Sequence, residues 1–239
     1  MKVHSKAEGM AMARASERGM PERGAALEVV RSPQNTTADD VKAAVEARVK
    51  ASLDEAMQQR EPVTQATDPE GWWNLYALGP IQPISIGGPL PPHQVIKVGE
   101  HAFVATVMFL NPFLILQPGI SAADVLSGFA LPYEVRYQTG NVTTWTLGQT
   151  DMNVVNSGPG YNLVPGQNFY VDVLEFVGTT PGLYEMNVSC RLLGATPPFV
   201  NSPQFAGFAR AVVDFDADLF IAPAPGLQFD VPIRFQVYP

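Results

Sequence analysis

The sequence predicts a mainly β fold: an antiparallel β-sandwich preceded by an N-terminal amphipathic helix. Tyr184, Met186, Val188, Cys190 and Leu192 alternate with Glu185, Asn187, Ser189 and Arg191, so one face of this segment is apolar and the other polar. The same two-residue rhythm recurs through the last two thirds of the chain, broken by NSGPG, VPGQN, VGTTPG and GATPPFVNSP. Strands divided by Pro/Gly turns, with no helical period between them, favour stacked antiparallel sheets over β/α units. Ahead of them, Val41, Val45, Val49, Leu53 and Met57 recur at steps of four, the spacing of one helix face.

Residues 1–35 mix Met, Ala, Gly, Arg and Glu without a steady period, and Gly9, Gly19, Pro21, Gly24 and Pro33 interrupt any helix, so a flexible leader is expected. Thr36 or Thr37 then offers an N-cap, Asp39 and Asp40 an acidic first turn, and Pro62 a stop. These delimit an amphipathic helix within 36–62. Its narrow stripe suits either docking on a sheet or pairing with a sister helix as an oligomerising stem. Trp72, Trp73 and Tyr76 follow, as a plug for the seam between helix and sheet or as a ligand platform. Val41, Val45, Val49, Leu53, Met57, Trp72 and Trp73 are therefore the candidate assembly residues. Residues 63–92, with PIQPISIGGPLPP, read as an aromatic and Pro-rich wrapping segment.

The β-sandwich domain is placed at 93–239. Strands are expected at 94–98 and 101–110, and HAFVATVMFL is apolar on both faces, so it needs cover on both. The helix or a neighbouring subunit is the available cover. Residues 131–138 alternate, and Thr139-Gly140-Asn141 reads as the turn of a hairpin into VTTWTL. Further strands are expected at 152–155, 169–176, 183–193, 211–221 and 227–238. In the last, Phe229, Val231, Ile233, Phe235 and Val237 face in, and Pro232 marks an edge or a bulge.

At Gly182-Leu183-Tyr184-Glu185-Met186 the chain resembles the Gly-x-Tyr-x-Cys corner that opens strand F of immunoglobulin-like sandwiches, with Met186 in place of the Cys. FYVDVLEF would then correspond to strand E and VGTTPG to the corner before strand F. The resemblance covers some 25 of the 239 residues. It implies an Ig-like architecture, a Tyr184 hydroxyl bonded back to the preceding loop, and the roles such folds serve: binding, spacing and assembly.

Charge divides the chain in two. Residues 1–62 carry 10 basic and 10 acidic side chains, and the rest carry 5 and 13, so the whole net charge of −8 sits on the second segment. An acidic body with few Lys and Arg argues against nucleic acid and against an anionic membrane surface as partners. The first residues lack the apolar core of a signal peptide, and no run of about 18 apolar residues spans a bilayer. A cytoplasmic protein is the expectation, unless export uses a route with no amino-terminal signal. Cys190, alone and on an apolar strand face, reads as a small buried hydrophobe.

Chemistry finds little to build on. Asp214, Asp216 and Asp218 alternate in VVDFDADLF, which on a strand would gather three carboxylates on one face, either solvated or around a Ca²⁺ ion. No EF-hand spacing supports the metal, so no cofactor is expected beyond that possible Ca²⁺. His4, His93 and His101 lack HxH or HExxH spacing; Glu100 beside His101 points to the opposite strand face. No GxSxG, GxGxxG or Walker loop occurs. Trp145 on the hairpin arm and Tyr161 after NSGPG are the candidate ligand-binding aromatics, able to stack on sugar rings, although Leu147 sharing the face of Trp145 suggests packing instead. The expected function is a non-enzymatic structural or assembly protein, packing with itself or another protein with the helix as tether. The alternative is a carbohydrate- or protein-binding module using sandwich-end loops.

Overall fold

The computed structural model describes residues 36–59, 71–82, 94–194, 206–215 and 232–239. Within them the chain is mainly β, with several sheets and an N-terminal helix. The leader 1–35 and the expected strand residues 216–221 and 227–231 lie outside the described residues.

Helix α1 (Ala38–Gln59) starts at a capping box. The Thr37 hydroxyl accepts from the Asp40 N–H at 3.2 Å, and the Asp40 carboxylate accepts from the Thr37 N–H at 3.1 Å. Val41, Val45, Val49 and Leu53 are buried, but Met57 is 52% exposed and Ala56 is buried in its place. The reason is helical pitch. Each four-residue step overshoots a full turn by about 40°, so four steps carry the fifth member to the far side, and the inward position passes to the residue three after Leu53.

Strand β3 (His101–Leu110) is the hinge of the architecture: all but its first residue are buried. Even-numbered Ala102, Val104 and Met108 join one core, whereas odd-numbered Phe103, Val107 and Phe109 join a second with Val41, Val45 and Val49 of α1. The helix therefore covers one face of β3. In a four-stranded sheet, β3 lies between β1 (Trp73–Ile81) and β9 (Phe169–Val177), with β12 (Arg210–Val212) beyond β1.

The other core is shared with a seven-stranded sheet. Its path runs β2 (Val95–Lys97), β13 (Ile233–Tyr238), β10 (Gly182–Leu192), β6 (Tyr133–Asn141) and β7 (Thr146–Leu147), while β8 (Val155–Asn156) pairs with β6 and β11 (Ala206–Phe208) with β10. Tyr137, Met186 and Phe235 from this sheet sit in the same core as Val104 and Leu174 from the other. Ile233, Phe235 and Val237 face inward, as their spacing predicts.

Four expectations need correction. Residues 73–81, assigned to a wrapping segment, form a central strand; its ladder shifts register between Leu78 and Ile81, where Pro80 has no N–H to donate. The sheets are not wholly antiparallel, since β1 runs parallel to β12 and β13 parallel to β2. The hairpin turn lies at 142–145 rather than 139–141: Gly140 and Asn141 still pair with Leu147 and Thr146. Finally, α2 (Ala122–Gly128) follows the short β4 (Ile115–Gln117) and β5 (Ile120–Ser121) hairpin, and its Ser121–Asp124 capping box was legible as S-x-x-D.

At the start of β10 the Tyr184 hydroxyl donates to the Thr180 carbonyl oxygen at 2.8 Å, the back-bond the Gly-x-Tyr pattern implies. Gly182 at its entry leaves room for the Asn141 side chain, whose amide nitrogen a Cβ there would meet at 2.5 Å. From α1, Ser52 donates to the Phe215 carbonyl at 2.6 Å, and Phe215 is buried under the helix. Because Val49 is spent on this packing and Met57 is not, Val49→Ala is expected to lower unfolding stability by about 2 kcal/mol. Met57→Ala should stay within about 0.5 kcal/mol by urea denaturation.

Candidate functional site

Two places stand out, a fixed exposed hairpin and a buried carboxylate. The hairpin is built on Asn141, whose side-chain oxygen accepts from the Thr143 and Thr144 N–H groups at 3.0 and 3.2 Å. Thr143 in turn accepts from the Leu183 N–H at 2.8 Å, and the Val142 N–H donates to the Leu183 carbonyl at 2.7 Å. The Thr144 and Thr146 hydroxyls lie 2.7 Å apart. Between them Trp145 sits at φ +56°, a left-handed conformation that costs a bulky residue about 1–2 kcal/mol. Trp145 is 87% exposed and Leu147 is 86% exposed. The packing expected from their shared face is absent: Leu147 lies opposite Gly140, which has no side chain to meet it.

Tyr161, the other aromatic candidate, is not a stacking platform. It is half-buried; its hydroxyl donates to Asp172 at 2.6 Å and its ring meets Tyr133 edge-on at 5.3 Å. Asp172 on β9 is 6% exposed and also accepts from the Tyr137 hydroxyl and the Asn156 amide, each at 2.8 Å. With the Tyr137 proton given to the carboxylate, the Thr106 hydroxyl 3.0 Å away can donate to the Tyr137 oxygen. The cluster ties β9 and β3 to β6 and β8. Three donors on one carboxylate offset the cost of burying it. Burial first, and Asp172 second, push the phenols of Tyr137 and Tyr161 above the usual tyrosine value of 10.0. The sequence carried a signal that went unread: Asp172 shares parity with Tyr170, Leu174 and Phe176 on the inward face of β9.

The remaining candidates are placed elsewhere. Trp72 and Trp73 are 4% exposed and lie in the core between the sheets, and Val41, Val45, Val49 and Leu53 are covered by the chain's own sheet. Asp214 lies past the end of β12 and pairs with Arg48 of α1 through bonds of 2.9 and 3.4 Å. Asp216 and Asp218 lie outside the described residues, among which no group of three His, Cys, Asp or Glu side chains is gathered for a metal. His101 Nδ1 is 2.8 Å from Glu175, with both side chains exposed, while Glu100 accepts from Gln82. Cys190 is buried 3.6 Å from the Met108 sulfur, and burial pushes its thiol up to about 12. A groove of about 260 Å³ opens where β11 and β13 share the β10 edge. Met186, Val188, Phe208 and Ile233 are among its walls, and none of its lining side chains titrates.

No protein-family model matches the chain, and no curated protein matches it. Among solved structures it is similar to the CARDB domain of the PF1109 protein from Pyrococcus furiosus, crystallised with di-metal ions, at 14% identity over 64% of this chain and 95% of that one, with a TM-score of 0.27. The alkylpurine DNA glycosylase AlkC of Pseudomonas fluorescens is matched at 10% identity over 75% of this chain and 40% of that one, with a TM-score of 0.29. A family 123 glycoside hydrolase from Clostridium perfringens gives 8% identity, coverages of 59% and 28%, and the same TM-score of 0.29. Superpositions this loose transfer neither fold nor function. Among the described residues no helix is long and apolar enough to cross a membrane.

Replacing Asp172 with Ala would take the acceptor from the buried Tyr137 phenol and from the half-buried Tyr161 and Asn156, and unfolding stability is expected to fall by about 3 kcal/mol in urea denaturation. Because the folded state holds the Tyr137 and Tyr161 protons more tightly than the unfolded chain, their stabilisation is complete below the ordinary tyrosine value and is lost as pH rises above it. Phenolate absorbance of these residues should therefore appear together with loss of β-sheet circular dichroism, not before it.

Proposed function

We propose that this chain is a non-enzymatic assembly protein, an Ig-like β-sandwich that joins a protein partner, further copies of itself included, through the Trp145 hairpin. The observation that carries this reading is the fixed exposure of Trp145 and Leu147. An indole left in water forgoes burial of roughly 150–250 Å² of apolar surface, and a backbone held in a left-handed turn adds a further cost. Such features are retained where a contact repays them. Tryptophan is the residue most enriched at the energetic centres of protein interfaces, and an adjacent Leu widens the apolar contact.

Support for the Ig-like label comes from the Tyr184 bond to Thr180 and from the core shared by the two sheets. Support for a non-enzymatic role comes from the bonding of the polar groups: Asp172 is saturated by donors and Asp214 is paired with Arg48. The tether role first read into α1 passes to the hairpin, since the helix stripe is occupied within the chain. A carbohydrate ligand is the second reading, favoured by the Thr144 and Thr146 hydroxyls on either side of Trp145.

Trp72 and Trp73 are buried, so Trp145 dominates the solvent-quenchable fluorescence. The expected result is a concentration-dependent blue shift of its emission with a matching rise in sedimentation mass, both abolished by Trp145→Ala. An emission that stays red and freely quenched at every concentration, or on adding a co-purified partner, would overturn the assembly reading. A shift produced instead by soluble glycans would favour the carbohydrate reading.

A further inference from the structure

We propose that the outer face of the seven-stranded sheet is a docking surface for an acidic protein segment, whose carboxylates bind Arg136, Arg191 and Arg234 and whose apolar side chains rest on Phe208 and Val155. The inference rests on the assembly role and gives it a partner chemistry, on a surface other than the hairpin tip.

Pleat and register define this face. Tyr184, Met186, Val188 and Cys190 of β10 turn into the core, so the odd-numbered residues between them turn outward, as do the even-numbered residues of β6 and β13. Neither helix lies over them: α1 packs on β3 and β9, and α2 against β3 and β5. Residues 63–239 hold five basic side chains, and four project here: Lys97 of β2, Arg136, Arg191 and Arg234. The fifth, Arg210, belongs to β12 of the other sheet. On the described strands of this face the carboxylates are Glu134 and Glu185. The local balance is therefore +2 (4 − 2), within a segment whose total is −8 (5 − 13).

The cations stand at a spacing that an extended chain can meet. Arg191 lies opposite Glu134 and Arg136 opposite Ser189, so the two arginines are diagonal neighbours with Cβ atoms about 7–8 Å apart. Same-side residues of an extended chain are about 6.6 Å apart. One oxygen of Glu134 accepts a nitrogen from Arg136 at 3.2 Å and another from Arg191 at 3.1 Å. A guanidinium carries donors on three nitrogens, and both side chains are exposed, so each can also take a carboxylate from a partner. Arg234, equally exposed, is held by Glu185 at 2.7 Å. Phe208 lies opposite Ser189 and Val155 opposite Arg136, which sets an exposed phenylalanine and an exposed valine at the two ends of one cross-strand row. Arginine beside an exposed aromatic is the composition of an interface centre. Between this row and Arg234 stand neutral Gln138 and Asn187, an interruption that suits separated carboxylates better than a continuous run of phosphates.

Fluorescence anisotropy with the full chain tests the inference, using a labelled Leu-Ser-Glu-Ser-Glu-Ser-Leu peptide and its counterpart with Lys for Glu. The acidic peptide is expected to bind saturably and the basic one not to bind. Raising the salt from about 0.05 to about 0.5 M should weaken the acidic peptide severalfold. The double variant Arg136→Gln with Arg191→Gln keeps an N–H donor for Glu134 but removes both charges, and should raise Kd about tenfold with unchanged circular dichroism. If it does not fold, Arg191→Gln and Phe208→Ser singly still decide, each by a weaker complex. Equal affinity for the two peptides, or an unchanged Kd in the folded variants, would overturn the inference. So would tighter binding of a homopolymeric RNA or of phosphatidylserine vesicles, or a face occupied instead by a second copy, seen as self-association lost in the arginine variants without peptide binding. Trp145→Ala should leave peptide affinity intact, so the hairpin reading and this one fail or hold separately.

Discussion

The structure turns on one constraint: β3 is apolar on both faces and cannot lie at a surface. One alternate set of its side chains demands a second sheet, and the other demands something else of comparable area. The chain supplies α1 for the latter, so helix and strand are complementary parts of one core. That requirement also explains the anchors on the helix. Its first turn is closed by Thr37 and Asp40, its middle is held to Asp214 by Arg48, and Ser52 grips the Phe215 carbonyl. A helix with a stripe of modest Val side chains would be marginal alone; laid on Phe103, Val107 and Phe109 it becomes a lid.

Between the sheets the polar arrangement is equally determined. Asp172 lies where a strand position faces the core, and a charge there persists only if its oxygens are satisfied. Tyr137, Tyr161 and Asn156 come from different segments of the chain, so the cluster forms only when both sheets are in register. Tyr184 does similar work at the other end of β10, stitching strand to corner. These groups look like chemistry in a composition table, but in place they act as clamps.

What is left uncovered is then informative. Val41, Val45, Val49 and Leu53 of the helix stripe, the paired tryptophans and the single cysteine are all consumed inside the molecule. Trp145 and Leu147 are not.

The sequence by itself determined the elements whose signal is local. The two-residue alternation of β10 and β13, the double-sided β3, the start of α1 and the Gly-x-Tyr corner are all written in adjacent residues, because side-chain direction along a strand or helix is fixed by backbone geometry. Only the tertiary structure decided partners. Whether Val41 met a sister helix or its own sheet, whether Leu147 packed beneath Trp145, and which donors reached Asp172 depend on groups far apart in the chain, brought together by register and loop path. The parallel pairings of β12 and β2 were missed for the same reason: periodicity gives the direction of a side chain or strand locally, but not the element that will lie beside it.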